Sequence, residues 1–525
     1  QVDYMNFSYL ISAGNCSCIL IEDYIDYLID DPGTKVIGLY LEGVKSPEKF
    51  TDVLRRAALK RKPIVILKVG RSAAGSRVAS SHTGSLSGAD KAFDALCKKF
   101  GIVRVDDIEE LVQMCHMLSV LPELPKIPTI SAMCLSGGET GVCADVGAAE
   151  GLEYPAFSDE TMKKLTALLP DYASPANPLD MTATLSHDGP KYAEVIKAIM
   201  RDPNVGMVLC GQTILPHQNL TDVIYPMSDG MVMAANERIK PVAVMNFFNC
   251  DRDSAIRSKL EAAGVAILPA TGTGFKLLRY MKKLVEYHTE ERTLELAIPQ
   301  PKGSEKIALS EYESKMELQR FGVRVPFSEV VSSEEQLDRV VKEVSYPCVA
   351  KIESADILHK SDVGGVKLNL RSETELRAAY AEVLKNAEEK APEAKVNGVL
   401  IQPMLPKGVE VIVGVNIDPQ FGPMILCGLG GVFVEVFKDV ALYPAPLSKG
   451  EALEMIRSLK GFKMLSGYRG SAKCDIDALA ELMVQIADYA VANKDTLCEM
   501  DLNPVFVYEE GKGVDMADAV IIKRK

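Results

Sequence analysis

Val36-Ile37-Gly38-Leu39-Tyr40-Leu41 and Pro63-Ile64-Val65-Ile66-Leu67-Lys68-Val69 are two short apolar runs separated by a helical pattern from Pro47 to Leu59. Runs of this length, rich in Val, Ile and Leu, read as strands buried on both faces, and a helix between two such strands predicts a right-handed βαβ unit. The rhythm continues with Thr129 to Leu135, Val205 to Cys210, Val242 to Asn246 and Val265 to Leu268. Together they predict an α/β fold of two doubly wound, largely parallel layers, divided by the proline-bearing stretch Leu121 to Pro128. A polar linker from Glu290 to Gly303 then opens a region of different rhythm, with a helix from Ser310 to Phe321 and strands at Cys348 to Ile352, Val366 to Leu370, Gly398 to Pro403 and Glu410 to Asn416. The expected divisions are 1–125, 126–290, a linker at 291–303, and 304–525.

Composition narrows the function classes. A chain of 525 residues with 47% hydrophobic content has core material for three or four domains. A net charge of -13 without a Lys/Arg tract argues against nucleic acid or an anionic membrane as partner, so any phosphorylated ligand must be met by local positive sites. Twelve cysteines, single apart from Cys16-Ser17-Cys18, show neither zinc-ligand spacing nor disulfide-framework density and read as reduced core thiols. No apolar run reaches the roughly 18 residues of a membrane span and no signal peptide is visible, which predicts a cytoplasmic enzyme. The chain opens at Gln1 without an initiator methionine, so an upstream part is expected.

Two histidine segments carry the chemistry. His82 lies among small hydroxyl and glycine residues from Ala79 to Gly88, just before a helical pattern through Ala92, Leu96 and Phe100. Glycines admit a bulky anion, and hydroxyls with helix-start amides hold its oxygens, so an imidazole there can carry a phosphoryl group. A helix-capping loop accounts for the serines and glycines alone, but not for a second such histidine, His359, within Ala355-Asp356-Ile357-Leu358-His359-Lys360-Ser361-Asp362-Val363-Gly364-Gly365-Val366. Upstream, Lys351 on a strand precedes Gly364 and Gly365, a cation followed by open backbone amides, which suits a polyphosphate. Ser136-Gly137-Gly138-Glu139-Thr140-Gly141 lies between a strand and a helix, placing Gly138 and Gly141 where amides face an anion. His116, His187, His217 and His288 lack partners at metal-binding spacing and read as structural or surface residues.

These segments resemble the nucleoside-diphosphate-forming acyl-CoA synthetases, relatives of succinyl-CoA synthetase. The resemblance implies flavodoxin-like ligase domains followed by an ATP-grasp domain over nearly all of 303–525. It implies His82 as the phosphohistidine, Glu42 at the end of Leu39-Tyr40-Leu41-Glu42 as the carboxylate orienting it, and His359 as a second carrier. It further implies Lys351, Gly364 and Gly365 at the nucleotide phosphates, Gln402 and Met404 on the hinge strand beside adenine, and Gly138 and Gly141 opposite the phosphohistidine. Asn503, in Glu499-Met500-Asp501-Leu502-Asn503-Pro504, and Asp518 would hold Mg²⁺. Implied substrates are ATP or ADP, CoA, phosphate and a small carboxylic acid, and the implied assembly is a homo-oligomer or a complex with a CoA-binding domain missing from this chain.

The pattern also departs from the family. Glu139 stands where the family has neutral residues, Asp501 replaces a usual glutamate, and Cys16 and Cys18 follow Gly14-Asn15 where acidic residues are usual. Gly428 to Glu435 and Arg469 match further family segments, whereas no acetyltransferase-like extension follows Lys525. The reading is a reversible ADP-forming acid–CoA ligase. The alternatives are a CoA- or nucleotide-sensing subunit with reduced catalysis, or an ATP-grasp ligase forming another bond, against which both histidine loops argue.

Overall fold

The computed structural model describes residues 6–71, 90–214, 221–249, 253–290, 292–431, 439–468 and 470–525. They form two compact units. One joins the chain up to Arg71 to Phe100–Glu290; the other joins the helix Asp90–Lys99 to the residues from Arg292 to Lys525.

In the first unit β1 (Ile37–Leu41), β2 (Ile64–Lys68) and β3 (Val103–Val105) pair in parallel in that order, with the helix Pro47–Leu59 as the crossover. Proline begins that helix, where its missing N–H costs nothing. A second parallel sheet contains β4 (Ile130–Cys134), β5 (Leu179–Asp180), β6 (Met207–Gly211), β7 (Val242–Asn246) and β8 (Ala266–Ala270), in the order β5-β4-β6-β7-β8. Strands β2, β4, β6 and β7 are buried at every position, hence their continuous rather than alternating apolar sequence. Helices Ile108–Val120 and Thr271–Thr289 pack against both sheets, and Met114, Met117, Phe275 and Leu278 share one core with Val65, Leu67, Leu209 and Met245. Glu110, buried between these helices, accepts from Lys276 Nζ at 2.9 Å, Tyr280 Oη at 2.8 Å and the Asp106 amide at 2.9 Å.

The second unit has β9 (Lys306–Ala308) and a small antiparallel sheet of β10 (Glu329–Val331), β11 (Cys348–Glu353), β12 (Val366–Leu370) and β13 (Gly398–Pro403), ordered β10-β13-β11-β12. Its larger antiparallel sheet contains β14 (Val409–Asp418), β15 (Gly422–Leu429), β16 (Val440–Pro444), β17 (Leu497–Val507), β18 (Val514–Met516) and β19 (Val520–Arg524). It runs β16-β15-β14-β17-β19-β9, with β18 beside β17. Helices Lys449–Arg457 and Ile476–Ala492 pack on the large sheet through Met455, Ile456, Leu479, Met483 and Ile486, while Glu334–Glu343 and Glu373–Lys390 cover the small one. Two antiparallel sheets with helices on their faces make the expected ATP-grasp arrangement.

The helix Asp90–Lys99, which follows the His82 segment, packs within this second unit, with Phe93 and Phe421 6.3 Å apart between ring centroids. Lys99 at its end is completely buried; its ammonium donates to Pro446 O at 2.7 Å and Thr293 Oγ1 at 2.9 Å and lies 3.9 Å from Glu451. Burial, opposed by Glu451, lowers its pKa to about 8.

Cys97, Cys134, Cys143, Cys210, Cys348, Cys427 and Cys474 are buried free thiols, but Cys18 is exposed and Cys16 half-buried. The expectation of core thiols fails for this pair because the segment preceding the helix Ile21–Asp30 is itself largely exposed. No helix among the described residues is long and apolar enough to cross a membrane.

Candidate functional site

The second unit gathers its charge around one carboxylate. Ser310 caps the helix Glu311–Gln319 by accepting from the Glu313 amide, and Glu313 returns the bond to the Ser310 amide. That capping fixes the first turn, and Glu311 and Lys315, four residues apart, share its inward face. Lys315 Nζ donates to Glu311 Oε1 at 2.6 Å, Lys351 Nζ to the same oxygen at 2.8 Å, and Lys360 Nζ to Oε2 at 2.7 Å. All four residues are buried. Lys315 also bonds Gln402 Oε1 at 2.9 Å and Ala517 O at 3.2 Å, Lys351 bonds Ala517 O at 2.8 Å, and Lys360 reaches the Asp518 carboxylate at 3.3 and 3.4 Å.

Three ammonium groups face the buried Glu311 carboxylate and the partly exposed Asp518 carboxylate, with the buried Glu353 carboxyl close to Glu311 and Lys360. Burial alone would raise the Glu311 carboxyl, but the surrounding lysines outweigh it and hold it well below the usual range. The Asp518 carboxyl is raised, first by burial and then by Glu311, against Lys351 and Lys360. An ammonium has three donors. Lys315 uses three, whereas Lys351 makes two hydrogen bonds, with Asp518 a further 3.8 Å away. Lys360 spends its bonds on Glu311 and the two oxygens of Asp518. Lys351 therefore retains a donor near Asp518, which a phosphate oxygen can take, whereas Lys360 has none to spare.

The structure places Lys351 and Gln402 on neighbouring strands β11 and β13, but Gln402 meets Lys315 through its side chain, and the Met404 amide donates to Pro347 O at 2.8 Å. Gly364 and Gly365 close a turn: their amides donate to Ser361 O at 3.0 Å and Lys360 O at 2.8 Å. Gly364 is required by the turn, with φ +69°, and Gly365 by its close approach to β11, since a Cβ there would lie 2.6 Å from Ile352. His359 is exposed at its edge.

Along β17, Glu499, Asp501 and Asn503 alternate with buried Met500 and Leu502, which puts the three oxygen-bearing side chains on one face. The Asp501 carboxyl is raised by burial and by Glu499 and Asp518, while a hydrogen bond with Asn503 opposes this. Asp501 and Asn503 offer carboxylate and amide oxygens, the donor type that Mg²⁺ takes, although the described residues hold no group of three or more His, Cys, Asp or Glu side chains placed to bind a metal ion.

In the first unit Glu42 follows β1, half-buried, and its carbonyl accepts from Lys68 Nζ at 2.8 Å. Gly138 and Gly141 lie exposed in the first turns of the helix Gly137–Ala149, where a Cβ would meet nothing within 4 Å. Glu139 folds back on this helix start and accepts from Ser136 Oγ at 3.3 Å; burial, more than nearby Asp180, raises its carboxyl. Asn177 donates to Ile130 O and Pro155 O, a loop-holding role. His116 is buried against Glu261 at 2.9 Å. His82, His217 and Arg469 and the residues Val432 to Glu435 lie outside the described residues.

Sequence reasoning missed Glu311, Lys315 and Lys360. The available signals were the Glu-x-x-x-Lys spacing just after a capping box and a lysine immediately following His359.

Comparison with known proteins agrees with this architecture. The ATP-grasp domain family matches residues 302–522, and the succinyl-CoA ligase-like flavodoxin domain family matches residues 1–118. The ADP-forming acetate–CoA ligase I of Archaeoglobus fulgidus is 33% identical over 521 residues, covering 97% of this chain and 73% of the relative. The ADP-forming 4-hydroxybutyrate–CoA ligase of Nitrosopumilus maritimus is 31% identical over 532 residues, covering 98% and 74%. The beta subunit of ADP-forming acetate–CoA ligase I from Pyrococcus furiosus is 45% identical over 202 residues, covering 38% of this chain and 87% of the subunit. The chain belongs to the ADP-forming acid–CoA ligases, also called ADP-forming acyl-CoA synthetases.

Proposed function

We propose that this protein interconverts acyl-CoA, ADP and phosphate with a free carboxylic acid, ATP and CoA, in the cytoplasm, on a small acid of the class named for its relatives. The carrying observation is the buried cluster of Lys315, Lys351 and Lys360 around Glu311, with a donor left on Lys351 and exposed His359 next to Lys360. Retention of this cluster runs against a subunit with reduced catalysis.

In the proposed sequence, phosphate attacks the thioester carbon, the C–S bond breaks, and acyl phosphate and CoA thiol result. A nitrogen of His82 then attacks phosphorus and the acyl oxygen leaves as carboxylate. Glu42 would hold one imidazole nitrogen so that the other stays nucleophilic, and Gly138 and Gly141 would leave the helix start open to the phosphoryl oxygens. The group passes to His359 and on to the terminal oxygen of ADP, forming ATP. Two carriers suit a reaction whose acyl and nucleotide sites lie in different domains, because in-line transfer needs reacting atoms in contact.

On the nucleotide side Lys351 would bind phosphate oxygens, the Gly364–Gly365 turn would shape their seat, and Gln402 and Met404 would border the base. Asn503 and Asp518 would hold Mg²⁺, which when bound neutralises polyphosphate charge. The segments 1–125 and 126–290 are assigned to acyl and phosphohistidine chemistry and 304–525 to the nucleotide. The working form is a homo-oligomer, or an assembly with a CoA-binding domain.

The test is ATP formation from ADP and phosphate with acetyl-CoA or 4-hydroxybutyryl-CoA. The reading expects strict dependence on all three substrates with release of CoA thiol. ATP formation without an acyl-CoA, or thiol release without phosphate, would overturn it.

A further inference from the structure

We propose that Lys360 is the positioning residue for His359: its ammonium, clamped between Glu311 and Asp518, fixes the segment that presents the imidazole. The inference rests on reading His359 as a phosphoryl carrier.

The two neighbours face opposite ways, His359 exposed and Lys360 buried. Lys360 Nζ donates to Glu311 Oε2 at 2.7 Å and to Asp518 at 3.3 and 3.4 Å. Its carbonyl accepts from the Gly365 amide at 2.8 Å, and Gly365 O in turn accepts from Ile352 N of β11 at 2.7 Å. Within the turn the Asp362 amide donates to His359 O at 3.2 Å. The approach from β11 is tied as well. Ser354 Oγ donates to Lys395 O at 2.8 Å and accepts from the Asp356 amide at 3.1 Å, and Asp356 Oδ2 accepts from the Lys395 amide at 2.8 Å.

His359 therefore sits on a segment held at both ends and pinned beneath by Lys360. Its sequence, rich in glycine and serine, reads as a loop free to move, but the hydrogen bonds make it a fixed support. In the step assigned to it, an imidazole nitrogen attacks the γ-phosphorus of ATP, the bond to the ADP oxygen breaks, and the P–N bond forms. A misplacement of about 1 Å in such a transfer costs on the order of a hundredfold in rate. Lys360 is the pin beneath the imidazole, while Lys351 has its own hydrogen bonds to Glu311 Oε1 and Ala517 O.

The test compares Lys360→Met, which keeps length but loses the charge, with Lys360→Arg, which keeps both ion pairs. Three measurements are made on the full chain: ADP affinity with Mg²⁺ by calorimetry, single-turnover labelling of His359 from γ-labelled ATP at saturating nucleotide, and amide hydrogen exchange over residues 354–365. Lys360→Met is expected to exchange faster in this segment and to label His359 roughly ten- to a hundredfold more slowly, while ADP affinity changes less than about threefold. Lys360→Arg is expected to restore both slow exchange and labelling. ADP affinity lost in proportion to labelling, with unchanged exchange, would make Lys360 a phosphate ligand and overturn the proposal. Unchanged labelling in Lys360→Met, or equal loss in both variants, would overturn it too. Should Lys360→Met fail to fold, Lys360→Gln takes its place with the same expected and refuting results. A wild type without label at His359 would refute the carrier reading, and the exchange comparison would still decide whether Lys360 is the pin.

Discussion

The Lys351 ammonium lies 2.8 Å from the Glu311 carboxylate, an ion pair between a strand of the small sheet and the first turn of a helix. Both side chains are nearly inaccessible, and Lys315 and Lys360 complete the cage. A buried carboxylate with three cations is stable only while the charges stay matched. The arrangement holds Lys351 in place before any ligand arrives, so that less ordering remains for binding.

Lys351→Met should weaken ATP binding in the presence of Mg²⁺ by about 1.5–3 kcal/mol, the range for a hydrogen bond to a charged group, or roughly ten- to a hundredfold. Calorimetric titration checks it. Unchanged affinity would remove Lys351 from the nucleotide site.

Glu311→Gln should destabilise the protein by about 3–5 kcal/mol, because it leaves three buried ammonium groups short of a counter-charge. Adding Lys315→Met should recover part of the loss, since the two sites are in contact and their effects do not add. Urea unfolding of the single and double variants reads both values.

Lys99 gives a pH dependence with a defined sign. Its pKa is about 8 in the folded chain against 10.5 for the free side chain. Below the folded value it is charged in both states and its burial cost is fully felt. Between the two values the unfolded chain holds more protons, so stability rises with pH, by up to about 3 kcal/mol. Lys99→Met should flatten this part of the profile in urea unfolding at pH 7.5 and 10. A profile unchanged by the substitution would contradict the assignment.

Glu42→Gln should lower the His82 phosphoenzyme at equilibrium by roughly ten- to a hundredfold, from about 1–3 kcal/mol of lost charge-assisted bonding. ATP affinity should hold, because Glu42 belongs to the first compact unit and Lys351 to the second. Weakened nucleotide binding with intact phosphorylation would misplace Glu42.

Much of the fold was legible because burial on both faces leaves a plain trace. Val36 to Leu41 and Pro63 to Val69 became β1 and β2, Pro47–Leu59 is the helix anticipated, and Val366–Leu370 and Gly398–Pro403 are strands with the expected bounds. The two-residue β5 and three-residue β3 are too short for a periodic signal. Lys351 was legible as a cation on a strand. Glu311 was not, because a Glu-x-x-x-Lys pair at a helix start usually marks a solvated face, and only tertiary packing turns this one inward. The packing of Asp90–Lys99 within the second unit was equally hidden, since β2 and β3, the described strands before and after it in the chain, pair in the parallel sheet of the first unit. At Glu139 the sequence raised the right question, a negative charge at an anion-binding helix start, and the structure shows that carboxyl bonded to the cap residue Ser136.

The central claim is a phosphoryl relay through histidine, and phosphoenzyme labelling tests it most directly. The protein is incubated with γ-labelled ATP and Mg²⁺, then chased with a carboxylic acid and CoA. The account predicts acid-labile, base-stable label at His82 and His359, discharged by the acid and CoA together; His82→Ala should still take label at His359, and His359→Ala should pass none to His82. A folded sample that binds ATP yet takes no label at either histidine would contradict the account.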